Sequence, residues 1–160
     1  MDYELYYKEW FVTGYVNPIY FSCTNFTFQD PDVKMNDIRS YARGVQQIFD
    51  YKNTARAEIL STTVNQEDDN HNSIITCTWR LSGKVNIGPG LFIKPYIVNT
   101  DFTVCRDTGL IIYQRDRFDI PSWDILVSAL FPFLIGRLTS PPAPKPIPRT
   151  PVMPDLSQYM

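Results

Sequence analysis

Histidine is almost absent from this sequence, and its scarcity limits the chemistry that the side chains can support. The one histidine, His71, lies in the polar stretch 66–72 (QEDDNHN), which is typical of an exposed turn. A serine or cysteine nucleophile usually needs a histidine as its base, and a zinc site takes most of its ligands from histidine and cysteine. The sequence therefore argues against both kinds of site, and we expect no metal and no cofactor.

Cysteine is also scarce, because the chain has three cysteines and no two of them form a CxxC pair. Cys23, Cys77 and Cys105 lie in strand-like stretches, so we expect small buried side chains. This use of cysteine is typical of a reducing compartment, here the cytoplasm or a plastid. The N-terminal stretch MDYELYYKEW is neither basic nor cleavable, so we expect no presequence in it.

The chain has no excess of positive charge, since 15 Lys and Arg residues and 17 Asp and Glu residues give a net charge of −2. Nucleic-acid binding needs a basic surface that displaces counterions, so we expect no nucleic-acid partner. The longest apolar run, Ile125–Ile135, is about half as long as a membrane crossing, so we expect no transmembrane segment. If this run were exposed it would mark a partner or membrane surface, but we expect it to close one end of the fold.

Aromatic residues, in contrast, are abundant at 14% of the chain. They recur at helical spacing over residues 3–14, and a second helical pattern covers residues 36–50, with Asn36 as its predicted N-cap. A third pattern predicts a short helix over Ser122–Leu138, which Pro132 should kink. Aromatic residues at this density are typical of a bulky core, an interface or the wall of a cavity.

Between and after the helices, the sequence predicts strands. Tyr20–Gln29 is the first, and from residue 55 the apolar pattern changes to a period of two. The turns include Gly88-Pro89-Gly90 and one in which Gly109 takes a positive φ. Consecutive hairpins indicate antiparallel pairing. The four later strands are predicted over residues 55–66, 73–84, 96–106 and 110–119.

Helices followed by hairpins predict an α+β fold, in which helices cover one face of a curved antiparallel sheet. A sheet of long strands should twist and curl, which leaves a cavity between its concave face and the helices. We expect a single domain over residues 1–138. The proline-rich residues 139–160 cannot form a helix or a central strand, so they predict an extended tail.

A set of short motifs carries a family resemblance: Asn25–Pro31 ending in F-x-D-P, Asn36–Tyr41, Trp79-x-x-x-Gly83, Gly109 with Ile112-Tyr113, and Phe118-Asp119. Together they resemble the nuclear transport factor 2-like (SnoaL-like) superfamily, whose fold is a cone-shaped α+β domain. More narrowly, they are similar to a plant and algal family within it, over residues 2–137. The superfamily includes isomerases, dehydratases, polyketide cyclases and partner-binding proteins, so the resemblance does not select a function. It also implies a homodimer through the sheet face.

The chain departs from the family pattern at two positions. Members often have glycine where this chain has Asp37, and histidine where it has Arg115. The spacing from there to Asp119 also indicates a bulge near Asp116.

Two aspartates are candidate catalytic groups. Asp30, at a strand end before Pro31, is typical of a corner whose carboxylate accepts hydrogen bonds from the next turn. It would act as a base only if apolar neighbours raised its pKa. Asp101 is the other candidate base, or else a partner for an arginine on the next strand.

Four residues are candidates for ligand binding: Tyr41, Trp79, Tyr113 and Arg115. Trp79 shares a strand face with apolar residues, so it either packs in the core or lines the cavity. Tyr113 and Arg115 share one face of the last strand, where a phenol and a guanidinium could bind an oxyanion. Arg115 could instead pair with Asp101.

Three functions follow from these residues. The leading hypothesis is binding of a small apolar ligand in the cavity, because aromatic residues are abundant and no nucleophile has a histidine partner. The second is a cofactor-free isomerase, dehydratase or cyclase that uses Asp30 or Asp101 with Tyr113 and Arg115. The third is a dimeric interaction module that recruits a partner through residues 125–154.

Overall fold

The computed structural model describes residues 20–22, 24–49, 56–65 and 72–146. Its six strands form one curved sheet in the order β2-β1-β6-β5-β4-β3. The predicted helix over residues 3–14, Cys23, His71 and the tail beyond residue 146 lie outside the described residues. The elements are β1 (Thr27–Gln29), β2 (Lys34–Met35), α1 (Ile38–Ile48), β3 (Arg56–Asn65), β4 (Ser73–Val85), β5 (Leu91–Val104), β6 (Ile111–Phe118), α2 (Ser122–Leu130) and a 3₁₀ turn (Pro132–Leu134).

The four predicted hairpin strands are present, and β3 to β6 pair antiparallel in chain order. The predicted α+β architecture is therefore confirmed. The first predicted strand is shorter than expected, because only Thr27–Gln29 forms it. This short β1 pairs parallel with β6 and antiparallel with β2. The sheet therefore contains one parallel pair that local sequence does not predict.

Strand β5 begins at Leu91, well before its predicted start at residue 96. Pro95 is tolerated inside it because the register shifts there: Tyr96 pairs with Leu81, and the next pair is Ile93 with Gly83. The intervening proline therefore does not need an N–H group for a ladder hydrogen bond. Gly83 has φ +138° at this bulge, a conformation that favours glycine.

Helix α1 begins with Asp37 as its N-cap, so the prediction of Asn36 was wrong by one residue. The Asp37 carboxylate accepts hydrogen bonds from the backbone N–H groups of Arg39 at 3.2 Å and Ser40 at 3.0 Å. It also accepts one from the Ser40 hydroxyl, which lowers the pKa of Asp37. These bonds satisfy N–H groups that the first helical turn leaves free. Ile38 and Tyr41 are the buried side chains of α1.

The sheet has an inner face, which looks towards α1, and an outer face. Alternate residues of β4 and β5 are buried on the inner face, as a period of two requires. They include Ile75, Cys77, Trp79 and Leu81 of β4, and Val98, Thr100 and Phe102 of β5. The predicted burial of Trp79 and Cys77 is confirmed.

Helix α2 ends at Leu130, before the predicted end at residue 138, because Pro132 lacks the N–H group that would continue the helix. Its N-cap position is Pro121, and no side chain caps it. The apolar run is divided between two environments. Ala129 is buried, whereas Phe133 is 70% exposed, so the run closes the fold only on its inward side.

A buried ion pair holds α2 to β5. Lys94 donates to Oδ1 of Asp124, while the backbone N–H and the hydroxyl of Ser140 donate to Oδ2 at 2.7 and 2.8 Å. Burial by itself would raise the pKa of Asp124, but these hydrogen bonds outweigh it and lower that pKa. The carboxylate therefore stays ionised and links α2, β5 and Ser140.

The first residues of the proline-rich segment are extended and contact the sheet. The N–H of Ala143 donates to the carbonyl of Pro95 at 2.8 Å, and the Arg80 guanidinium donates to the carbonyl of Ala143 at 3.2 Å. The segment is therefore held at its start. The domain boundary after residue 138 stays a prediction.

Lys94→Met should destabilise the protein by about 3–5 kcal/mol, because it leaves the buried Asp124 carboxylate without its counter-ion. The matched control is Arg117→Met, which breaks the more exposed pair with Asp101 and should change stability by less than about 1 kcal/mol. Urea unfolding of the three proteins measures both differences. Equal effects of the two substitutions would contradict the assignment of Lys94 and Asp124 as a buried anchor.

Candidate functional site

A cavity of about 170 Å³ lies between α1 and the inner face of the sheet. Cavities of about 150 Å³ with apolar walls bind molecules as small as benzene. Six aromatic residues line it, five of them from β1, α1, β4, β5 and β6 and one, Phe49, directly after α1. They are Phe28, Tyr41, Phe49, Trp79, Tyr96 and Phe118. Aliphatic side chains and Gly44 of α1 complete most of the wall. Its polar lining consists chiefly of two carboxyl groups, those of Asp30 and Asp116.

Asp116 lies on β6 with its side chain on the inner face, and the residue is 8% exposed. Thr100 Oγ1 donates to its Oδ1 at 2.7 Å, and Gln114 Nε2 donates to the same oxygen at 3.2 Å. Within the described residues, no donor contacts Oδ2. The described residues thus hold the carboxyl through one of its two oxygens.

A hydrogen-bond network fixes Asp116 from several elements. Trp79 Nε1 donates to Thr100 Oγ1 at 2.8 Å, and Gln114 Nε2 also donates to the Tyr41 hydroxyl at 2.9 Å. The network therefore joins β4, β5, β6 and α1. Buried groups with several fixed partners have little freedom to turn, so the carboxyl is oriented before any ligand binds.

The pKa of Asp116 is raised to about 7, chiefly by burial and to a smaller extent by the negative charge of Asp30. The hydrogen bonds from Thr100 and Gln114 act in the opposite direction but do not outweigh burial. Near neutral pH, Asp116 is therefore present in both its protonated and its ionised form. Burial also raises the pKa of the Tyr96 phenol, which therefore stays protonated and can donate a hydrogen bond.

Asp30 makes the predicted corner and also lines the cavity. Its Oδ1 accepts hydrogen bonds from the N–H groups of Asp32 at 2.8 Å and Val33 at 2.6 Å. These bonds fix the turn between β1 and β2, as expected for an aspartate before a proline. The other carboxylate in the cavity is therefore tied to the backbone.

Tyr41 and Trp79, two of the four predicted ligand-binding residues, line the cavity, and their binding of a ligand stays a prediction. The Tyr41 ring stacks on Phe28 with centroids 4.1 Å apart. Trp79 is 1% exposed and donates its indole N–H to Thr100. Both side chains therefore combine packing with a place in the cavity wall.

Asp101, Tyr113 and Arg115 lie on the outer face, away from the cavity. The Tyr113 hydroxyl donates to Gln29 at 2.9 Å. Asp101 lies opposite Arg115 in the ladder, but its ion pair is with Arg117 at 2.8 Å. The prediction that these residues converge with Asp30 on one cavity is wrong.

A bulge explains this error and the failure to predict Asp116. The bulge lies at Ile112, since Thr103 pairs with Tyr113 and Val104 pairs with Ile111. The prediction of a bulge near Asp116 is therefore wrong, and beyond Ile112 the strand alternates without interruption. One available signal was overlooked: Arg115 and Arg117 flank Asp116, and two arginines facing solvent require Asp116 to face inward.

Comparison with solved structures identifies the fold. The chain is similar to a nuclear transport factor 2-like superfamily protein from Salmonella enterica serovar Typhimurium, with a TM-score of 0.52, 10% identity and coverage of 74% of this chain and 87% of that one. It is also similar to a protein with a ketosteroid isomerase-like fold from Catenulispora acidiphila, solved in complex with trimethylamine. In that comparison the TM-score is 0.50 and the identity is 12%, and the match covers 80% of this chain and 91% of that one. The chain has the nuclear transport factor 2-like fold.

The shared architecture of the nuclear transport factor 2-like fold agrees with the resemblance seen in the sequence motifs. No protein-family model matches the sequence, and no curated protein matches it. At 10–12% identity, the solved structures establish the fold and leave the activity to be argued from the site itself.

Within the described residues, no group of three or more histidine, cysteine, aspartate or glutamate side chains is placed to hold a metal ion. In the same residues, no helix has the length and apolar character needed to span a membrane.

Asp116→Asn should remove a pH dependence of stability. Because burial raises the folded-state pKa of Asp116 to about 7, against about 3.9 in an unfolded chain, the folded protein holds the proton more strongly. The stability that this proton gives to the folded state is fully present below about pH 4 and is lost as the pH rises to about 7. The free energy of urea unfolding of the wild type minus that of the variant should fall by up to ~4 kcal/mol over this range. A difference that does not change with pH would contradict the assignment.

Proposed function

We propose that this protein binds a small, largely apolar molecule in the cavity and orients it through one polar group at Asp116. One observation carries the proposal: an aromatic-lined cavity contains a buried carboxyl that is hydrogen-bonded through Oδ1 alone within the described residues. Because Asp116 lines the cavity, a ligand that donates a hydrogen bond to its carboxyl gains binding energy there. The apolar wall contributes by removing the rest of the ligand from water.

The size of the cavity limits the ligand. A volume of about 170 Å³ suits a molecule near the size of a single six-membered ring. The network around Asp116 favours one position of the ligand, because Thr100 and Gln114 both fix the carboxyl through Oδ1. Binding should therefore require little rearrangement of the wall.

Gly44 offers a way to test the proposal without disturbing the network. It lies on α1 in the cavity wall, and a Cβ atom there would meet Met35 at 3.5 Å, an ordinary contact. Gly44→Leu should therefore fold, and its helix should gain about 1 kcal/mol in propensity, while the larger side chain fills the cavity.

Cyclohexanone is a suitable neutral probe, and the indole N–H signal of Trp79 in an NMR titration reports on the cavity. The wild type should show saturable shifts, and Gly44→Leu should weaken binding by about tenfold or more, since filling the space removes the apolar contacts. Arg43→Leu is the matched control, because it adds the same side chain at an exposed position of α1 and should bind as the wild type does. Equal binding by all three proteins would place the probe elsewhere and overturn the proposal.

A second function, acid–base catalysis, is favoured by the pKa of about 7 at Asp116. A general base works best when its pKa is near the working pH. The Asp116 carboxylate would take a proton from a carbon next to a carbonyl group, and the Tyr96 hydroxyl would hydrogen-bond to the carbonyl oxygen as negative charge develops on it. With a β,γ-unsaturated carbonyl compound, return of the proton to the γ-carbon of the dienolate would move the double bond, and the reaction would be an isomerisation. Asp116 and Tyr96 replace the Asp101, Tyr113 and Arg115 of the sequence prediction.

Deuterium exchange tests this chemistry directly. In D₂O the wild type should exchange the hydrogens next to the carbonyl group of cyclohexanone faster than buffer does, measured by the loss of their proton NMR signal. Asp116→Asn should lower the enzymatic rate by about 100-fold or more, because the amide cannot accept the proton. If the wild type binds the ketone but does not exchange its hydrogens, the catalytic function is refuted and the binding function remains.

Two finer features stay proposals that rest on the sequence resemblance: membership of the plant and algal family, and a homodimer through the outer sheet face. The polar and charged side chains there, including Asp101 and Arg115, are of the kind found at the rim of an interface.

A further inference from the structure

We propose that the cavity selects a small organic cation, such as a protonated or quaternary amine, over a neutral molecule of the same shape. The inference rests on the proposed binding function and specifies its ligand class. Its basis is the combination of charge, aromatic surface and a carboxylate oxygen within one cavity.

The charges around the cavity have one sign. Asp30 and Asp116 both line it, and no lysine, arginine or histidine is among its lining residues in the described part of the chain. Two carboxylates in a space of low polarity repel an anion and attract a cation more strongly than they would in water. An anionic ligand is therefore disfavoured.

The aromatic residues of the cavity wall also favour a positively charged ligand. Phe28, Tyr41 and Trp79 are among the aromatic residues that line the cavity. The faces of aromatic rings carry negative potential, and cations held against them gain about 0.5–2 kcal/mol, more when they are desolvated. A cation with a small apolar body satisfies both the rings and the rest of the wall.

The hydrogen bonds of Asp116 leave a place for the charged group. Both of its donors, Thr100 and Gln114, contact Oδ1, so Oδ2 is the oxygen that a bound ammonium group would reach. An ionised carboxylate in this buried position needs a partner of opposite charge. A neutral ligand of the same shape leaves that need unmet.

The affinity for a cation should depend on pH in a defined direction. Among the described residues, the groups that face Asp116 are Asp30 at the end of β1, Tyr96 on β5, and Tyr41 on α1 through Gln114, while Asp101 acts on it from the outer face. With the pKa of Asp116 at about 7, a cation must displace a proton at lower pH. Its affinity should fall by about tenfold for each pH unit below 7 and level off above it.

The test compares tert-butylammonium with tert-butanol, which have nearly the same shape and differ in charge. Their affinities are measured by NMR titration of the Trp79 indole N–H from about pH 5 to about pH 8. At the upper pH, tert-butylammonium should bind at least about tenfold more tightly than tert-butanol. The preference should disappear as the pH falls, and it should be absent from Asp116→Asn.

Two further variants separate the causes. Asp30→Asn keeps an oxygen that can accept from the N–H groups of Asp32 and Val33, so it should fold and show a reduced preference for the cation. Asp107→Asn removes the same charge from the exposed turn between β5 and β6 and should behave as the wild type does.

The outcomes distinguish the inference from the function on which it rests. Equal affinity for the two probes, or a preference for the cation that persists in Asp116→Asn, would overturn the cation class and leave small-molecule binding intact. Binding of neither probe at any pH, together with no binding of cyclohexanone, would overturn the proposed function itself.

Discussion

Burial of the Asp116 carboxyl within an aromatic cavity is the constraint on which the rest of the site depends. Removing a carboxylate from water is unfavourable, and the Thr100 and Gln114 hydrogen bonds offset only part of that cost. The group is consequently poised between its two protonation states, and its neighbours are fixed around it. Trp79 and Tyr41 belong to the same network, so the residues that form the apolar wall also orient the polar group.

Strand register decides which residues belong to this site. One extra residue at Ile112 sets the alternation of β6, so that Gln114, Asp116 and Phe118 face inward while Tyr113 and Arg115 face outward. A second irregularity, between the pairs Leu81–Tyr96 and Gly83–Ile93, lets β5 continue past Pro95. Each bulge therefore has consequences beyond its own position, because a shift of one residue exchanges the two faces of a strand.

The buried pair of Lys94 and Asp124 plays a separate, structural part. It fixes α2 against β5 and holds Ser140, the second residue of the proline-rich segment. With this orientation, α2 buries Ala129 and Ser128 and leaves Trp123 exposed. Tertiary contacts thus divide an apolar run that, by composition alone, looks equally suited to burial along its whole length.

The sequence by itself determined the local elements and the class of fold. Helical spacing placed α1, a period of two placed β3 to β6, and the glycine-containing turns placed the hairpins, because these patterns depend on neighbours in the chain. Its single histidine also argued against histidine-dependent nucleophiles. Only the tertiary structure decided the parallel pairing of β1 with β6, the bulge at Ile112 and the selection of Asp116 over Asp101. Those features depend on contacts between residues far apart in the chain. They also depend on burial, which changes the pKa of an aspartate that looks like any other in the sequence.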